Sequence, residues 1–140
     1  MIDDKANDNI EKLEEEEGAG KEYIFLIDRS ASMQDTIELA KEALILFLQS
    51  LPNGCKFNIC SYGSDYRLLF KDFRSVDYND LSCQQAITEV KDFGADFGGT
   101  DIYSPLQEIF DMQTDCKETN IFLLTDGAVN NTKEIVQLVT

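Results

Sequence analysis

Three oxygen-bearing side chains stand at alternate positions in "DRSAS": Asp28, Ser30 and Ser32. Alternate residues of an extended segment point the same way, so these three can address one point in space. Two more oxygens stand in comparable settings, Thr100 in "FGGTD" and Asp126 in "LLTDG". A donor set of oxygen, without sulfur or imidazole, suits a hard divalent cation. Only Asp28 and Asp126 carry charge. That argues against a tight all-protein calcium cage and for an octahedral ion that keeps water. Mg2+ is the simplest choice, with Mn2+ or Ca2+ as alternatives, and at least one coordination position is left for an outside oxygen. The chain has no His, and its four cysteines (Cys55, Cys60, Cys83, Cys116) form no C-x-x-C pair, so zinc lacks its usual ligands. The cysteines read as small core hydrophobes or loop thiols. Each oxygen also has a plainer use. Ser32 could cap the first helix, Thr100 or Asp101 the third, and Asp126-Gly127 could form an ordinary turn.

What positions these groups can be read from the apolar periodicity. "EYIFLI" (22–27) and "TNIFLLT" (119–125) are continuous apolar runs, the mark of strands covered on both faces. Residues 36–51 repeat apolar side chains at helical spacing through Ile37, Ala40, Leu44, Phe47, Leu48 and Leu51. "KFNICSYG" (56–63) and "YRLLFKDF" (66–73) flank "GSD" and read as a hairpin. A second helix is predicted over 82–93, opened by a Ser82–Gln85 capping box, and a third over 102–112 with Pro105 in its first turn. "NTKEIVQLVT" begins a fourth. The order β α β β α α β α predicts a Rossmann-like, doubly wound α/β fold. Its sheet is mostly parallel with one antiparallel hairpin strand, and helices cover both faces. Ligands bind such sheets beyond the carboxyl ends of the strands. Asp28 follows the first buried strand and Asp126 the last, so both carboxylates belong to that edge. Ser30 and Ser32 lead from it into the first helix, and Gly98 and Gly99 let the backbone beside Thr100 approach closely.

Composition bounds the partners. The chain's 140 residues suit one domain, and 27 acids against 12 bases leave a net charge of −15. No basic footprint for nucleic acid is present, and an anionic membrane surface would repel the chain. Residues 1–21 read as an acidic, disordered leader and 22–140 as the folded domain. The N-terminus has no apolar signal segment, and the simplest placement is cytoplasmic, with reduced thiols.

Taken together, "DRSAS", "GGTD" and "LLTDG" resemble the D-x-S-x-S, threonine and aspartate elements of the von Willebrand factor type A (vWA) domain. The segment between them is similar to the intracellular members paired with a vault/inter-alpha-trypsin (VIT) domain. The resemblance implies a metal-ion-dependent adhesion site, usually loaded with Mg2+, that captures a carboxylate from a protein partner. It also implies that Ser30, Ser32 and Thr100 bind the ion directly, with Asp28 and Asp126 acting directly or through water. Ala31 departs from the family's usual Gly, which matters only if that position needs a positive φ. The family usually continues through two further strands, so the domain is expected to be C-terminally incomplete. "NIFLLT" would then offer an edge for self-association. No nucleophile–base pair is apparent, which favours a binding module without catalysis. A Mg2+-dependent phosphohydrolase of haloacid-dehalogenase type is the alternative, but Ser30 stands where its general acid is required. An inert fragment or scaffold is the third reading.

Overall fold

A computed structural model of the chain describes residues 16–125. Its sheet contains β1 (Lys21–Asp28), β2 (Lys56–Tyr62), β3 (Tyr66–Leu68), β4 (Val76–Asp77) and β5 (Glu118–Leu124). The path runs β3-β2-β1-β5, with β4 also pairing β2. β1 lies parallel to both β2 and β5, while β3 and β4 run antiparallel to β2. Helices α1 (Ile37–Gln49), α2 (Asp80–Lys91) and α3 (Tyr103–Asp111), with the 3-10 turns Glu16–Gly18 and Ala31–Met33, complete the elements of the described residues. This is the predicted α/β architecture.

The middle of β1, residues 23–27, shows why its sequence is an unbroken apolar run. Successive side chains point to opposite faces. Phe25 and Ile27 join Leu44, Leu48, Ala86 and Val90 in a core beneath α1 and α2. Ile24 and Leu26 join Leu106, Ile109, Ile121 and Leu123 beneath α3. Both faces are buried, so no polar alternation could survive. At the strand's start, the turn Glu16–Gly18 lies against the α1–β2 connection, where Gly18 donates to the Asn53 carbonyl at 2.8 Å.

Three local details differ from the sequence reading. The hairpin's second strand ends at Leu68, not Phe73. Buried Asn58 supplies the reason. Its side chain bonds the Phe70 N–H and the Phe70 and Phe73 carbonyls, taking over backbone groups that a longer ladder would have used. The chain then returns to β2 as the unpredicted two-residue β4. The capping box is also shifted. Asn79, not Ser82, is the N-cap of α2: its side chain accepts from Ser82 N–H at 2.9 Å, and the Ser82 hydroxyl accepts from Asn79 N–H at 3.0 Å. The fourth helix lies outside the described residues.

Candidate functional site

β1 delivers Asp28 to the carboxyl edge of the sheet, where it is only 4% exposed. One carboxylate oxygen accepts the Ser30 N–H at 2.9 Å, closing a tight turn. The other accepts the Thr125 hydroxyl at 3.1 Å. Among the described residues, no cationic side chain pairs with it. Ser30 is buried and extended (φ −65°, ψ 162°), and it shares a 3.0 Å hydrogen bond with the Ser32 hydroxyl. The two hydroxyls therefore face each other, but not through the extended loop that alternate spacing implies: Ser30 is extended, while Ser32 lies in the 3-10 turn Ala31–Met33. Neither serine caps a helix with its side chain. Ala31 carries no strain, because Asp72 (φ 68°) is the one non-glycine residue with positive φ among the described residues.

Thr100 rides on the loop 94–102, which is tied to two strand ends. Phe97 N–H donates to the Arg29 carbonyl at 2.9 Å and Ala31 N–H to the Gly98 carbonyl at 2.8 Å. On the β2 side, Ser64 N–H donates to the Phe97 carbonyl at 2.7 Å, Asp101 N–H to the Gly63 carbonyl at 2.8 Å, and Gly99 N–H to the Ser64 hydroxyl at 2.6 Å. The approach is close enough that a Cβ on Gly63 would meet the Phe97 carbonyl oxygen at 2.4 Å. Gly98 takes φ +75°, which most side chains disfavour. Capping of α3 falls to Asp101, whose carboxylate accepts from Tyr103 N–H at 3.0 Å and the Ser104 hydroxyl at 2.7 Å. These bonds hold its carboxyl below the ordinary range, Ser104 contributing most. Thr100 is exposed and is left out of the cap.

The structure thus joins Asp28, Ser30 and Ser32 in one cluster and pins Thr100 on the adjoining loop. Asp126 lies outside the described residues. Its neighbour Thr125 does reach Asp28, a contact that "LLTDG" did not disclose. Sequence reasoning also passed over Arg29. Its guanidinium is buried between Phe93 and Phe97, 4.3 Å from each ring centroid. It donates to the Gly94 carbonyl at 2.8 Å, the Ser61 hydroxyl at 3.2 Å and Asp96 at 2.7 Å. Burial lowers its pKa, and Asp96 opposes that shift. A signal was available: an arginine between two prospective ligands, and a phenylalanine on each side of "GAD".

The donors are chemically suited to a hard cation. Octahedral Mg2+ at about 2.1 Å from its ligands places adjacent oxygens ~3 Å apart. Ser30 and Ser32 already stand at 3.0 Å, so both could serve one ion from neighbouring corners. Among the described residues there is no group of three His, Cys, Asp or Glu that could hold a metal. Hydroxyls would have to make up the set.

Comparison with known proteins defines the class. The von Willebrand factor type A domain family matches residues 21–140. The chain is 43% identical over 127 residues to human von Willebrand factor A domain-containing protein 5A, covering 83% of this chain and 16% of that protein. It is 40% identical to the Rattus norvegicus protein of the same name, covering 83% and 15%. A Dictyostelium discoideum von Willebrand factor A domain-containing protein is 43% identical over 120 residues, covering 84% of this chain and 6% of that one. This chain therefore spans only a small part of the length of these relatives. Among solved structures, a von Willebrand factor type A protein from Catenulispora acidiphila superposes with TM-score 0.62 at 18% identity, covering 85% of this chain and 30% of that one. The three N-terminal domains of the Porphyromonas gingivalis type V pili tip protein Mfa5 give 0.59 at 15%, covering 74% and 19%. The chain belongs to the von Willebrand factor type A family, a family of protein-interaction modules that are often metal-dependent.

Proposed function

We propose that this chain is a metal-dependent protein-interaction module. Ser30, Ser32 and Thr100 would hold Mg2+ or Mn2+, with Asp28 and Asp126 anchoring it directly or through water. The bound ion supplies positive charge beside Asp28 and an open coordination position for an acidic side chain of a partner protein. One observation carries the reading: a buried carboxylate without a cationic partner among the described residues, next to two converging hydroxyls. Burying a carboxylate against neutral donors alone is costly, and a cation at this edge removes that cost. The protein's part is to fix the donors before the ion arrives. The Asp28–Ser30 turn orients the first hydroxyl, and the strand register delivers Thr125 to the far oxygen.

Calorimetric titration of Mg2+ into the metal-free chain tests this. Saturable binding is expected at micromolar to millimolar strength, lost in Ser30→Ala and in Asp126→Ala, with helix content unchanged. Binding that survives both substitutions would place the ion elsewhere, and a tight preference for Zn2+ would contradict the all-oxygen donor set.

A further inference from the structure

We propose that Arg29 is a positioning residue for the candidate metal centre, clamping the Thr100 loop to the segment that carries Asp28, Ser30 and Ser32; this rests on the metal reading above. Arg29 sits between two donors in "DRS", so its side chain leaves on the side opposite theirs. There it meets the beginning of the Thr100 loop. Its guanidinium is stacked between Phe93 and Phe97, which bracket the loop's first residues. Nε holds the Gly94 carbonyl and one terminal nitrogen holds Asp96, while the other reaches back to Ser61 on β2. The Arg29 carbonyl accepts the Phe97 N–H as well. One residue thus grips residues 93–97 by ring, carbonyl, carboxylate and backbone.

The loop needs such a grip. It contains Gly94, Gly98 and Gly99 and no regular structure, so fixing it costs much conformational entropy. Thr100 is exposed and bonds nothing else among the described residues that would place its hydroxyl. Its position is set by the loop, which Arg29 holds at its start, at residues 93–97, while Gly63, Ser64 and Ala31 hold it from residue 97 to 101. Five consecutive residues would then provide three donors on one side and the clamp for Thr100 on the other. A planar fork between two rings is a task for arginine that lysine performs poorly.

The test uses Arg29→Met, Arg29→Lys and Thr100→Val in the full chain, with Mg2+ as the probe. Calorimetry should show ~10-fold or greater weakening for Arg29→Met, the size typical of supporting residues around a metal. Arg29→Lys should recover only part of it. Arg29→Met should add little to Thr100→Val yet add fully to Ser32→Ala, a pattern that general loss of stability would not give. Metal-free hydrogen exchange supplies a second readout: amides 97–101 should exchange faster in Arg29→Met while β1 and β2 stay protected. If Arg29→Met fails to fold, Asp96→Asn decides, since Asp96 is 67% exposed and its change removes only the ion pair; a several-fold loss of Mg2+ affinity is expected. Unchanged affinity in Arg29→Met, or in Asp96→Asn where that variant must decide, overturns the clamp while the metal reading stands, provided Ser30→Ala abolishes binding. If the unaltered chain binds no Mg2+, both fail.

Discussion

β1 carries a buried carboxylate at each end, and the two are treated in opposite ways. Glu22 and Asp28 share one strand parity, so both point toward the α3 side of the sheet. Glu22 is fully buried and saturated. Arg74 pairs with it at 2.9 Å, and the hydroxyls of Ser75, Thr114 and Thr119 supply further bonds. Arg74 also donates to the Ile109 and Met112 carbonyls, closing the C-terminal end of α3. Asp28 receives one N–H and one hydroxyl, and no cation among the described residues. A carboxylate with its own arginine can serve the fold unaided. One left with neutral donors beside a pair of facing hydroxyls is suited to take its cation from solution.

Breaking the balanced end should have the largest effect. Arg74→Met leaves Glu22 buried and uncompensated and should cost about 3–5 kcal/mol, as for one lost member of a buried ion pair. Urea denaturation would measure it, and adding Glu22→Leu should return much of the loss. If Arg74→Met proves neutral, Glu22 is not the structural partner described here.

The other end should respond to metal instead. Saturating Mg2+ at 100 times its dissociation constant should stabilise the chain by about 2.7 kcal/mol. In Asp28→Asn the metal-free protein should be at least as stable as the parent, and the gain with Mg2+ should vanish. Thermal unfolding with and without EDTA separates the two effects.

Smaller effects sharpen the picture. Burial raises the Cys55 thiol to about 11 and the Cys60 thiol to about 12, while Cys83 and Cys116 are partly exposed. The thiolate is the reactive form. At pH 8 iodoacetamide should therefore modify Cys83 and Cys116 well before Cys55 and Cys60, as mass spectrometry would show. The smallest effect concerns Asp101. Its folded pKa lies below the ordinary 3.8, so its capping contribution is complete above that value and is lost as pH falls through the lowered one. The Tyr103 amide resonance should move only below about pH 4.

Much of this contrast is written in the chain. The two double-sided strands and the helices on both faces follow from periodicity of two or 3.6 residues, whereas Asp28, Ser30 and Ser32 meet because a 3-10 turn follows extended Ser30. Glu22 did not declare itself, because its partner Arg74 lies 52 positions away and is brought near only by the return of the chain to β2. Lys41 escaped for a similar reason. It is buried within α1, where its ammonium donates to the Lys91 carbonyl at 2.7 Å, a contact created by packing α1 on α2. The capping box lies three residues earlier than the Ser82–Gln85 spacing suggests because Ser82 suits either of its ends. Side chains with long-range partners are set by tertiary packing, and short motifs are silent about it.

The central claim is that the carboxyl edge takes a cation and the amino edge does not. The most direct measurement is Mg2+ titration of the isotopically labelled chain, following backbone amide resonances. Saturable shifts are expected at Ser30, Ser32, Gly99 and Thr100, with Glu22, Ser75 and Thr119 unmoved. Shifts confined to the amino edge, or no saturable change at millimolar Mg2+, would contradict it.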